Sequence, residues 1–223
     1  MSAAWEWRGF QQAAGPVTAA DLLALAGQAA LAIQVAAPAA NSVVPETDTY
    51  LVRPGLPHNL KVRHGALEVK EQVAEQSGGY SLWLDKVIYP FPLAPQAVDR
   101  LWALLELPRR GRSRHAASPD QLIAVLGRHG FTPIRMDKLR VRLDSGAARL
   151  EVAGVTVHGT ARWWLSLCAD GYDLPAVQAL VRQVAGSRSP LQAMSYVDFL
   201  QGAVLAAPAG TGGVQVRHGG QSP

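Results

Sequence analysis

The chain has 223 residues, 48% of them apolar and 17% charged, with a formal net charge of +4. That composition excludes a wholly disordered chain, and the length suffices for a substantial hydrophobic core. A single cysteine, Cys168, excludes an internal disulfide and a multi-cysteine metal site.

The first ten residues carry Glu6 and Arg8 and no apolar run, so no signal peptide is expected. The most apolar stretch, residues 29–40, is interrupted by Gln34 and Pro38, which argues against a membrane span and for a cytoplasmic protein. "AWEWRGF" (4–10) alternates Trp5 and Trp7 with Glu6 and Arg8, the two-residue period of a strand. "TAADLLALAGQ" (18–28) starts on a Thr18 cap with Asp21 three positions on, a helix start. "TDTYLV" (47–52) reads as a strand.

The hairpin "HNLKVRHGALEVKEQ" (58–72) follows, turning at Gly65. Lys61 and Arg63 share one face of its first strand, and Glu68 and Lys70 share one face of its second. "YSLWLDKVIYPF" (80–91) is the next strand. Helices are predicted over 94–107 and 118–130, the second with Ser118 as cap and Pro119 at its first position. "RRGRSRH" (109–115) reads as a solvated loop between them.

"PIRMDKLRVRLD" (133–144) places Lys138, Arg140 and Arg142 on one face and Leu139, Val141 and Leu143 on the other. Strands at 148–159 and 161–170 and a helix at 173–186 complete the domain. Its expected extent is residues 1–205, with a disordered tail at 206–223. The count is about eight strands and four helices, an α+β chain. Charges repeated on one strand face and aliphatics on the other suit a closed antiparallel barrel whose apolar face packs outward on helices.

The order of these elements and residues resembles the CYTH superfamily of triphosphate tunnel enzymes, over about residues 4 to 201. "LKVR" (60–63), "LEVK" (67–70), "DKLR" (137–140) and "SYVDFL" (195–200) are similar to that family's motifs. The resemblance implies an eight-stranded antiparallel tunnel with flanking helices, binding tripolyphosphate or a nucleotide through Arg8, Lys61, Arg63, Lys70, Lys138, Arg140 and Arg142. The family's paired carboxylates, by contrast, fall on Ala4 with Glu6 and on Ser166 with Cys168. Only Glu6, Glu68 and Glu151 are left as candidate ligands for Mg²⁺ or Mn²⁺, a weak set for a hard cation. The expected function is therefore non-catalytic or scaffolding binding of a phosphate-rich anion. The alternatives are a divalent-metal-dependent triphosphatase and a structural subunit that docks a protein partner; nucleic acid is not an expected ligand.

Overall fold

The computed structural model describes residues 2–108, 116–185 and 191–202. The loop expected at 109–115 and the tail expected at 206–223 lie outside the described residues. Eleven strands form one antiparallel sheet: β1 (Ala3–Ala13), β2 (Val44–Val52), β3 (Asn59–Arg63), β4 (Ala66–Lys70), β5 (Gln72–Gln76), β6 (Tyr80–Leu84), β7 (Val87–Pro90), β8 (Thr132–Asp144), β9 (Arg149–Val157), β10 (Trp163–Gly171) and the two-residue β11 (Gln192–Ala193). The helices are α1 (Ala19–Ala32), α2 (Pro95–Leu104), α3 (Pro119–Gly127), α4 (Leu174–Ala185) and α5 (Tyr196–Leu200).

Ten strands follow the order β5-β6-β1-β10-β9-β8-β2-β3-β4-β7, and β11 pairs with β1. The expectation of eight strands is corrected by two breaks, which make ten, and by the short β11, which was not expected. The second hairpin strand stops at Lys70 and resumes as β5, and the strand expected over 80–91 is split at Asp85 and Lys86 into β6 and β7. These breaks let β4 pair with β3 and β7 while β5, one residue further along, pairs with β6. Since β6 also pairs with β1, the sheet curls until the chain itself links its two ends. The Leu84 N–H donates to the Glu71 carbonyl at 2.9 Å across that junction.

Local sequence explains most of the elements. Thr18 and Asp21 form a reciprocal capping box on α1, and Ser118 caps α3 with Pro119 behind it. The turn joining β3 and β4 has His64 at φ 48° and Gly65 at φ 71°, the left-handed pair that a two-residue hairpin requires. α1 continues past the expected end at residue 28, because Ala29 and Ala30 are buried against the sheet. α5 was not expected as a separate helix. Its five residues are held by a second capping box, between Ser195 and Asp198.

The outer face of the sheet is apolar. Trp7, Val141, Leu143, Val152 and Leu167 pack beneath α1 and α4, and Leu60, Leu67 and Val69 pack beneath α2 and α3. Opposite-facing residues on the same strands therefore point inward, and these carry the charges. Among the described residues no helix is long and apolar enough to cross a membrane.

Candidate functional site

A one-residue slip of register would turn the charged residues singled out in the sequence outward; the pairing observed turns them inward. Arg8, Lys61, Arg63, Lys70, Lys138, Arg140 and Arg142 line a single cavity of about 290 Å³, together with Glu6, Glu68 and Glu151. All ten residues singled out in the sequence thus come together, from β1, β3, β4, β8 and β9. Trp83 is buried and also lines this cavity, with the Lys70 ammonium 5.5 Å from its ring centre.

Two carboxylates went unread in the sequence. Asp48 is fully buried on β2, where its Oδ2 accepts from Arg63 Nη2 at 2.7 Å and from Lys138 Nζ at 2.7 Å. Glu46, two residues earlier, pairs with Arg63 at 2.7 Å and also with Arg140. The signal was present in "ETDTY" (46–50), where Glu46, Asp48 and Tyr50 stand two apart on one strand face. Tyr50 and Tyr196, not singled out in the sequence, also line the cavity. Tyr50 accepts from Lys138 Nζ at 2.5 Å, and the Arg8 guanidinium lies 4.2 Å from the Tyr196 ring centre.

These carboxylates change the electrostatics of the interior. Nearly every cation of the interior meets an acid. Glu6 bonds Lys70 at 2.9 Å and Arg8 at 3.3 Å, and Lys61 pairs with Glu68 at 3.2 Å. Glu151 meets Arg142 at 3.2 Å and Arg8 and Arg140 at 3.5 Å each. Nine Lys and Arg side chains line the cavity against five Asp and Glu. Adding Glu46 and Asp48 brings the acids to seven, so two positive charges remain in excess.

Titration follows the pairing. Burial raises the Glu6 carboxyl, but Lys70 and Arg8 outweigh it and hold the group at about 2. Burial likewise opposes Glu151, and Arg8 with Lys138 brings it down to about 2. Asp48 is driven well below the carboxylate range, because the Arg63 bond and the charge of Lys138 overcome burial. Lys138 goes the other way. Its burial, with Lys61 nearby, outweighs Asp48 and lowers it to about 8.

The three carboxylates expected as a weak metal set all line the cavity. Glu6, Glu68 and Glu151 sit on three different strands among the cations, and Arg8 meets both Glu6 and Glu151. Among the described residues no three His, Cys, Asp or Glu side chains are grouped to hold a metal ion. Ser166 and Cys168 do face inward: Ser166 accepts from Arg8 Nη1 at 3.2 Å, and Cys168 pairs in register with both Arg8 and Glu151.

Together, fold and site define an α+β protein with a curled antiparallel sheet around a cationic, polar interior. No protein-family model and no curated protein matches the chain. Among solved structures it is similar to a protein of Bacillus halodurans described as a "putative adenylate cyclase". The two are 9% identical, with a TM-score of 0.41, over 83% of this chain and 94% of that one.

Proposed function

We propose that the protein binds a phosphate-rich anion, tripolyphosphate or the triphosphate end of a nucleotide, inside the curled sheet without turning it over at an enzymatic rate. The observation that carries this reading is the excess of cations in one buried cavity, with Arg8, Lys61, Arg63, Lys70, Lys138, Arg140 and Arg142 all on its wall. Arginine offers a planar fork to phosphate oxygens and lysine a point charge, and both kinds are present. The resemblance of "LKVR", "LEVK" and "DKLR" to the triphosphate tunnel family supports the same ligand class and a degenerate member of that family.

A second reading is favoured by the Asp48 contacts: the interior charges satisfy one another and serve the fold, leaving the outer surface to dock a protein partner. Thermal unfolding at low salt separates the two. A ligand that binds only the folded state at a hundredfold excess over its Kd stabilises it by about 2.7 kcal/mol. Millimolar tripolyphosphate, pyrophosphate and ATP, each with and without Mg²⁺ or Mn²⁺, should raise the transition. If none moves it, the interior is structural.

A further inference from the structure

The interior changes character along the strands. On β1 the inward positions run from Glu6 and Arg8 to Phe10. On β8 they run from Arg140 and Lys138 to Met136 and Ile134. The apolar end is filled. The Phe199 ring of α5 stacks on Phe10 at 4.1 Å between centres, Trp164 meets Phe199 edge-on at 5.1 Å, and Phe199 and Leu200 are buried. α5 is held in place by its capping box, and the preceding Met194 N–H donates to the Arg8 carbonyl at 2.9 Å.

The cleft on the far side of this plug, lined by Gln12, Trp164 and Asp198 among others, shares no lining residue with the cationic cavity. The cavity opens instead past Arg142 and Arg149 to Tyr172, which is 72% exposed. At its inner end Arg8 and Lys138 lie 4.2 Å and 4.3 Å from the Tyr196 ring centre. Tyr196 lines the cavity, and its hydroxyl is buried and without a hydrogen-bond partner among the described residues. A buried hydroxyl left unpaired is costly, and such groups call for a partner.

We infer that the cavity has one mouth and reads the free end of its anion. The terminal phosphoryl group of a polyphosphate reaches the floor and accepts a hydrogen bond from the Tyr196 hydroxyl between Arg8 and Lys138. Any substituent on the other end stays at the mouth. A chain capped at both ends has no such terminus to deliver. This inference rests on the anion-binding reading above and adds to it the class of ligand and Tyr196 as a binding residue.

Calorimetry on the purified chain at low salt tests it with three probes: tripolyphosphate, ATP, and a pentaphosphate chain esterified by adenosine at both ends. The first two are expected to bind, and the doubly capped chain at least tenfold more weakly despite its comparable charge. Tyr196→Phe keeps the ring packing and is expected to lower tripolyphosphate affinity about tenfold without lowering the unligated melting temperature. Equal binding of the capped chain, or unchanged affinity in Tyr196→Phe, overturns the inference and leaves anion binding standing. Absence of binding by all three probes overturns both.

Discussion

Arg63 of β3 grips Asp48 of β2 through two side-by-side bonds, from Nε to Oδ1 and from Nη2 to Oδ2, the second at 2.7 Å. The pair is buried, and Asp48 also accepts from Lys138. Planar, bidentate contact between guanidinium and carboxylate is the geometry in which Arg also holds phosphate. Asp48 thus occupies the fork that a phosphate oxygen pair would use.

The first prediction concerns that pair. Removing one partner of a buried ion pair leaves the other uncompensated, at a cost on the order of 3–5 kcal/mol. Asp48→Ala should destabilise the protein by that order in urea unfolding. Because Arg63 and Lys138 then lack their acid, tripolyphosphate should restore more stability to the variant than it adds to the parent. A variant as stable as the parent would show that the pair contributes nothing to the fold.

Acid should unfold the protein through Glu6 and Glu151. Both carboxyls are held at about 2 in the folded state, below the ordinary value of about 4.3 for an unfolded glutamate. A carboxyl depressed on folding contributes its stability above the unfolded value and loses it as pH falls toward the folded one. Each is worth on the order of 3 kcal/mol at neutral pH. They share Arg8, so the two contributions are not additive. The urea midpoint should fall steadily between pH 5 and pH 2, and Glu6→Gln should flatten that slope. An unchanged slope in Glu6→Gln would mean that other groups set the acid limit.

Alkali should weaken anion binding through Lys138. Its ammonium is lowered to about 8, against an ordinary lysine value of about 10.4. A lysine depressed on folding opposes stability below its folded pKa, and that penalty is relieved as pH rises from 8 to above 10. A bound phosphate favours the charged form, so above pH 8 binding must take up a proton. Tripolyphosphate affinity should therefore drop by up to about tenfold per pH unit beyond 8, the limit for one linked proton. Lys138→Gln should bind more weakly at pH 7 and show no step near 8. Retention of the step in that variant would assign it to another group.

The charged strands were legible because a period of two is written directly in the sequence. Lys61 with Arg63, Glu68 with Lys70, and Lys138 with Arg140 each announce one face, and the apolar residues between them announce the other. Glu46 and Asp48 obey the same period, but a strand that begins at Thr47, as the sequence suggests, splits their pair. The two strand breaks were illegible for a different reason. Only the requirement that β4 and β5 pair with different neighbours creates them, and that demand comes from the curl of the whole sheet. α5 was read as a motif, "SYVDFL", and not as a plug, since nothing local says that Phe199 will find Phe10 across 189 residues of chain.

Hydrolysis of a bound triphosphate should stay near background, and the reason lies in how the acids are used. Phosphoryl transfer needs an oriented nucleophile and charge neutralisation at the transferred group. A general base works best with a pKa near the operating pH, and Glu6 and Glu151, held at about 2 by their cations, are far from it. Nor do these acids gather with a third into a metal-binding group among the described residues. Phosphate release from tripolyphosphate, ATP or thiamine triphosphate with Mg²⁺ or Mn²⁺ should therefore fall below about 1 per second, the lower range of working enzymes. New ligands can be placed by register. Ala4 stands two residues before Glu6 and lines the cavity, and Cys168 lies directly across from Glu151. Directly opposed side chains on neighbouring strands have Cβ atoms about 5 Å apart, close enough for two carboxylates to share a cation. Ala4→Glu combined with Cys168→Glu should bind Mn²⁺ at least tenfold more tightly than the parent, as measured by calorimetry. Ser166 is left alone, because it is fully buried and a glutamate there would be forced into the core. Parent turnover above about 1 per second that vanishes in Glu6→Gln would instead make the protein a triphosphate hydrolase, with Glu6 as its working carboxylate.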